Sequence, residues 1–158
     1  MTPRGVTGAL LAIGVGLTIG NLIGGRLAAR NLLGTVIGAF AGVMAVLLLL
    51  ALVIQSAVPT MILLILWGGL AFALVSPLQI WVVDAATDAP NLASTLNQGA
   101  FNLGNAVGAW LGGTALSAGL HYANLPYVSA AVAAVALALT LSTFANRRVM
   151  PVQLRPAE

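Results

Sequence analysis

Five stretches of this chain, at roughly residues 5–25, 33–54, 60–82, 91–118 and 126–145, are almost free of charge and long enough to cross a bilayer. About 20 apolar residues in a helix span the hydrocarbon core. Inside that core each backbone polar group must find its partner within the segment, so each stretch is read as a helix. Composition leaves no soluble alternative: 60% of the 158 residues are hydrophobic and 6% are charged, against about 25% charged in a soluble domain. The sequence pI near 10.7 invites a nucleic-acid reading. That reading fails, because every basic residue is an arginine at a segment end and none forms a basic face. The absence of cysteine excludes disulfides and thiol ligands.

The breaks carry the punctuation expected between helices. "RLAARN" holds Arg26 and Arg30, "QSAVP" ends in Pro59, "DAATDAP" holds Asp84, Asp88 and Pro90, and "LHYANLP" holds His121, Tyr122 and Pro126. Links this short make neighbouring helices antiparallel. Residues 1–146 are therefore expected to form one five-helix membrane bundle and 147–158 a polar tail. "MTPRGVTGALLAIGVG" has no convincing cleavage site and reads as a span rather than a signal peptide. One set of helix ends holds Arg26, Arg30, Arg147, Arg148 and Arg155, and the other holds Arg4. Arginine excess marks the cytoplasmic side, so the C-terminus is expected in the cytoplasm and the N-terminus outside. An odd number of spans in that orientation is expected of the tail of a longer protein.

"FNLGNAVGAWLGG", Phe101–Gly113, places two asparagines and four glycines in the middle of a span. At about 100° per residue, Asn97, Gln98, Asn102, Gly104, Asn105, Gly108, Gly112 and Gly113 share one half of the helix. Leu96, Leu103, Val107, Trp110 and Leu111 share the other, which suits lipid. Gly104, Gly108 and Gly112 form a small-residue stripe that admits a neighbouring backbone. Similar stripes recur at Gly16, Gly20 and Gly24 and at Gly34, Gly38 and Gly42. Tight packing is the simplest use of all of them. Two uses are open for Gln98, Asn102 and Asn105: ties between helices, worth about 0.6 kcal/mol each on average, or a polar path for a solute. Pro77 in "SPLQIW" leaves a carbonyl one turn back without its donor and should kink the third span, beside Gln79. No enzyme constellation of the H-E-x-x-H, G-x-S-x-G or P-loop type is present, and Gly14, Gly16 and Gly20 lack the spacing and the preceding strand of a dinucleotide site. No cofactor is expected.

Together these features resemble the major facilitator superfamily, most closely its drug/proton antiporter branch, of the arabinose-efflux-permease-like and chloramphenicol-exporter-like kind. "GVGLTIGNLIGGRLAARN" is similar to the family's eighth helix and following cytoplasmic loop, and "SPLQIWVVDAATDAPNLASTLNQGAFNLGNAVGAWLGG" to its tenth and eleventh helices. "YVSAAVAAVALALTLSTFANRR" fits the twelfth. "GNAVGAWLGG" resembles the antiporter motif G-x-x-x-G-P-x-x-G-G at Gly104, Gly108, Gly112 and Gly113, with Ala109 in place of the proline. "GGRLAAR" resembles the loop motif G-x-L-A-D-R, with Ala29 in place of the aspartate. The resemblance implies the C-terminal part, helices eight to twelve, of a proton-coupled inner-membrane exporter of drugs or sugars working by alternating access. Gln79, Gln98, Asn102 and Asn105 would line the substrate path, the glycines and Pro77 would serve packing and gating, and Arg26 and Arg30 would sit in the cytoplasmic loop. Its partners would be membrane lipid, a small-molecule solute, and the missing N-terminal half or another copy. The competing expectation is a small membrane scaffold that oligomerises through its glycine faces and transports nothing. No span contains an ionisable side chain at its centre, so this segment offers no site for a coupling proton.

Overall fold

The computed structural model describes residues 3–147, and among these every regular element is helical. The helices are α1 (Pro3–Ala28), α2 (Leu32–Val53), α3 (Ala57–Phe72), α4 (Val75–Ala85), α5 (Pro90–Ser117) and α6 (Leu125–Arg147), with a 3₁₀ turn at Tyr122–Asn124 before the last. Apart from Arg147, the expected polar tail lies outside the described residues.

Local chemistry explains most of the boundaries. The Asn31 side-chain oxygen accepts from the Gly34 amide at 2.8 Å and starts α2. Pro90 opens α5, where its missing N–H costs nothing. Gly119 ends α5 with φ +90. The Leu120 amide returns to the Ala115 carbonyl and the Gly119 amide to that of Leu116, each at 3.0 Å. Only a glycine takes that left-handed position without strain. The His121 Nδ1 accepts from the Ala123 amide at 3.3 Å, so the chain's single histidine is an exposed capping residue in the α5–α6 connection.

The third span differs from a simple kinked rod. It is two helices, α3 and α4, separated by Ala73 and Leu74. Pro77 is fully buried and has no N–H to offer the Ala73 carbonyl four residues back, which places the break one turn before it.

Around this broken helix, α2 forms the centre. Val36, Ala39, Val43, Val46, Leu47 and Leu50 are buried at helical spacing. Val43 and Leu47 pack on Ala130 and Ala133 of α6. Val36 and Ala39 pack on Leu74 at the break. Val15, Ile19, Leu22 and Ile23 of α1 are exposed and suit contact with lipid.

The glycine stripes are used unequally. A side-chain carbon on Gly20 would collide with the Gly69 carbonyl oxygen, and one on Gly24 with that of Ala73. At Gly16 it would stand 3.0 Å from the Ile65 carbonyl oxygen. The register 16–65, 20–69, 24–73 shows α1 and α3 running parallel with their backbones in contact. On α2 the stripe works differently: Gly42 faces the Leu70 side chain, Gly34 faces its own cap Asn31, and Gly38 faces open space.

Four segments are long and apolar enough to cross a membrane: Leu10–Ala28, Leu32–Val53, Ala57–Ala85 and Tyr122–Thr143. The five expected stretches correspond to α1, α2, α3–α4, α5 and α6, of which α5 is the least apolar. Its 28 residues reach about 42 Å, but its asparagines, glutamine, threonines and serines lower its hydropathy below that of a free-standing span.

Overpacking costs about 1–3 kcal/mol even where neighbours can shift, and the neighbours of Gly20 are backbone. We expect Gly20→Leu to cut the yield of folded protein in detergent about tenfold or more, while Gly38→Leu stays near wild type. Equal yields would contradict the backbone contact between α1 and α3.

Candidate functional site

Just beyond the break, α4 carries two side chains that bond in opposite directions. Ser76 Oγ donates to Asn21 Oδ1 of α1 at 2.8 Å. Gln79 Nε2 donates to Ser94 Oγ of α5 at 2.7 Å, and the Gln79 carbonyl oxygen accepts from Asn97 Nδ2. Both ends of the Gln79 amide are thus used, as a half-buried amide in a low-dielectric setting requires. Through Ser76 and Gln79 the short half-helix α4 is tied to α1 on one side and α5 on the other by neutral groups.

These ties form the walls of an open cleft. Asn21 and Gly25 of α1, Ser76 and Gln79 of α4, and Thr95 and Gln98 of α5 line it. It lies towards the helix ends that carry Arg26 and Arg30. Arg26 closes α1 in its last turn, and Arg30 is exposed in the connection to α2.

A second hollow, about 420 Å³, opens between α5 and α6 against α2 and α3. Its walls are mostly apolar, with Phe40, Trp67, Phe101 and Val128, and Asn105, Gly108 and Gly112 come to its surface. Leu111 also lines it. That corrects the placement of Leu111 on the lipid half. Leu96, Leu103, Val107 and Trp110 are exposed, as the helical spacing predicts.

The sequence-derived candidates therefore separate. Gln79 and Gln98 share the polar cleft. Asn105 lies in the apolar hollow. Asn102 is exposed on the flank of α5 and lines neither. Gly104, Gly108, Gly112 and Gly113 have no atom within 4 Å of where a side chain would begin, so the close approach expected of that stripe is not made by any described part of this chain. Gly16, Gly20, Gly24 and Pro77 do pack closely.

Sequence reasoning missed Asn21, Ser76 and Ser94. Asn21 follows Gly20 directly in an apolar span and was visible as an isolated polar residue. The partnership of Asn21 with Ser76, 55 residues away, had no local signal.

A pair of amides hydrogen-bonded across membrane helices couples by about 0.6 kcal/mol on average, with an upper value near 1.7. We expect a double-mutant cycle of Gln79→Leu and Asn97→Leu, read by unfolding in detergent, to return coupling in that range. Strictly additive losses would contradict the bond.

Comparison with known proteins gives a consistent picture. The chain is 43% identical over 158 residues to the Inner membrane transport protein YdhP of Escherichia coli (strain K12), an alignment covering 95% of this chain and 38% of that protein. It is 33% identical over 142 residues to the Uncharacterized MFS-type transporter YfhI of Bacillus subtilis (strain 168), covering 90% of this chain and 35% of that protein. The chain thus spans little more than a third of the length of these relatives. No family model matches it, and no solved structure does. Over 90% of its residues, this chain, helical throughout its described elements, is similar to a segment of a protein named as an MFS-type transporter, a member of the major facilitator superfamily.

Proposed function

We propose that these helices form part of the solute path of an alternating-access exporter, as the C-terminal helices eight to twelve of a proton-coupled carrier for drugs or sugars. The observation that carries the reading is the neutral cleft beside the broken third span. There a half-helix presents Ser76 and Gln79 to both neighbouring helices, and Gln98 stands on the wall with its amide exposed. Half-helices whose polar groups converge at membrane depth are a recurrent way for carriers to build a site. Amides and hydroxyls bind uncharged or polar solutes without bringing a charge into the bilayer. The coupling proton is assigned to residues outside these helices.

The mechanism follows from unequal attachment. α1, α2 and α3 hold one another through backbone contact and apolar packing. α5 is held mainly through α4, by the Gln79 bonds. A solute bridging Gln98 and the opposing part of the carrier would act on the loosely held member, and α4 would transmit the movement to the break at Ala73–Leu74.

Removing one hydrogen-bonding group from a solute site costs about 1 kcal/mol, or roughly fivefold in affinity. In the complete carrier we expect Gln98→Ala to reduce efflux per folded molecule by about that factor, with abundance unchanged. Normal efflux with lowered thermal stability would reassign it to helix packing. In that case the non-transporting scaffold reading would gain.

We further expect the C-terminus to be cytoplasmic. Cysteines placed at Ala86 and His121 flank α5, and impermeant maleimide added outside intact cells should label only His121→Cys. Labelling of both from outside would show that α5 does not cross the membrane.

A further inference from the structure

α1 has a second working surface, turned away from the polar cleft. Ile19 and Ile23 stand about 160° round the helix from Asn21. With Gly16 and Gly20 they form one wall of a furrow of about 300 Å³, and Leu66 and Gly69 of α3 belong to the other. The furrow follows from the backbone contact. Where Gly20 meets Gly69 no side chain fills the seam between the helices, and the larger side chains rise on either side of it. None of the lining side chains is polar. Ile19, Ile23 and Leu66 are exposed along the rims.

The furrow ends at charge. Arg26 lies two turns beyond Ile19 and about 20° round the helix from it, so it falls on the same face at the furrow's mouth. Arg26 is exposed, and so is Arg30 in the connection that follows. The described carboxylates, Asp84 and Asp88, lie at the end of α4 and in the link after it. α4 meets α1 on the Asn21 side, through Ser76, away from the furrow. From Gly16 to Arg26 the helix rises about 15 Å. That is half of the ~30 Å hydrocarbon core, the depth of a single leaflet.

An apolar slot one leaflet deep, with guanidinium groups at its polar end, has the form of one lipid molecule. A hydrocarbon chain fills such a slot without asking for a hydrogen bond. Guanidinium groups take phosphate oxygens in their planar fork. Basic sites between helices at the cytoplasmic side are a recurrent place for anionic headgroups. We propose that the α1–α3 furrow binds an anionic phospholipid of the leaflet that borders Arg26. One acyl chain lies along Gly20 and Gly69, between Ile23 and Leu66, and the phosphate meets Arg26 and Arg30. In the orientation argued from the arginines, this leaflet is the cytoplasmic one. The lipid covers the α1–α3 seam and leaves the polar cleft on the other side of α1 free. The site stands apart from the transport reading, and its test does not use transport.

The test is native mass spectrometry of the complete carrier, delipidated in detergent and titrated with dioleoyl phosphatidylglycerol or dioleoyl phosphatidylcholine. One phosphatidylglycerol should bind at least about fivefold more tightly than phosphatidylcholine, since each arginine near the surface adds roughly that factor. Arg26→Gln with Arg30→Gln should erase the preference and leave phosphatidylcholine binding unchanged. Ile23→Ala with Leu66→Ala lowers both rims and should weaken both lipids by about fivefold or more. Leu96→Ala with Leu103→Ala, on α5, should weaken neither. All six positions are exposed, so the variants report on binding rather than on folding. Dihexanoyl phosphatidylglycerol, with the same headgroup on short chains, should bind about tenfold more weakly or worse. A phosphatidylglycerol preference that survives the loss of both arginines would overturn the proposal. Equal effects of the two alanine pairs, or equal binding of the long and short chains, would do the same. So would the absence of any bound lipid, which would show the furrow filled by another part of the carrier.

Discussion

The contact on which the rest of the fold depends is between two backbones. At Gly20 and Gly24, α1 has no side chain to hold α3 away, and the Gly69 and Ala73 carbonyls occupy the space. In a bilayer there is little hydrophobic drive between helices, and close van der Waals approach has to supply the association. The Ala73 carbonyl is also the one that Pro77 leaves without a donor. The weakest point of the third span is thereby held against the most closely packed point of the first. The break is fixed in place by its neighbour, and α4 is aimed so that Ser76 and Gln79 reach α1 and α5.

Polar chemistry here is carried without charge. The bonds of Ser76 and Gln79 that tie α4 to its neighbours join hydroxyls and carboxamides. In hydrocarbon each such group would be costly alone and is satisfied in pairs. The arrangement places the hydrogen-bonding groups on the Arg26 side of the break and leaves the other hollow apolar except for Asn105 and Ser129. One bundle thus presents two unlike surfaces along a single helix, α5.

Much of this was legible in the sequence because helical period and helix punctuation act locally. The interruption at Pro77 and the punctuation between helices at Asp84–Pro90 and His121–Pro126 follow from residues within one or two turns. What was not legible depends on partners. Three glycine stripes look alike on paper, yet only the one on α1 faces a helix with Gly69 and Ala73 at matching height. The stripe on α2 meets side chains at Gly34 and Gly42 and open space at Gly38, and that on α5 meets nothing among the described residues. Leu111 was misplaced for the same reason: a helical wheel gives angles, and only the position of α6 decides which angle is inside. Of the site, Gln79 and Gln98 were found by their polarity, while Asn21 and Ser94 acquire meaning only through Ser76 and Gln79.

The polar composition of α5 has a consequence for how the chain enters the membrane. Asparagine and glutamine oppose partitioning from the insertion machinery into lipid, and a segment carrying several gains little by leaving water alone. Its Asn97 amide and Ser94 hydroxyl both bond to Gln79 of α4, so they meet those partners when α4 is alongside. Helices α1 to α4 can enter the bilayer one after another as they emerge from the ribosome. α5 leaves the insertion machinery more readily once the third span, α3–α4, is already there to bond it, so the order of synthesis bears on how the bundle assembles.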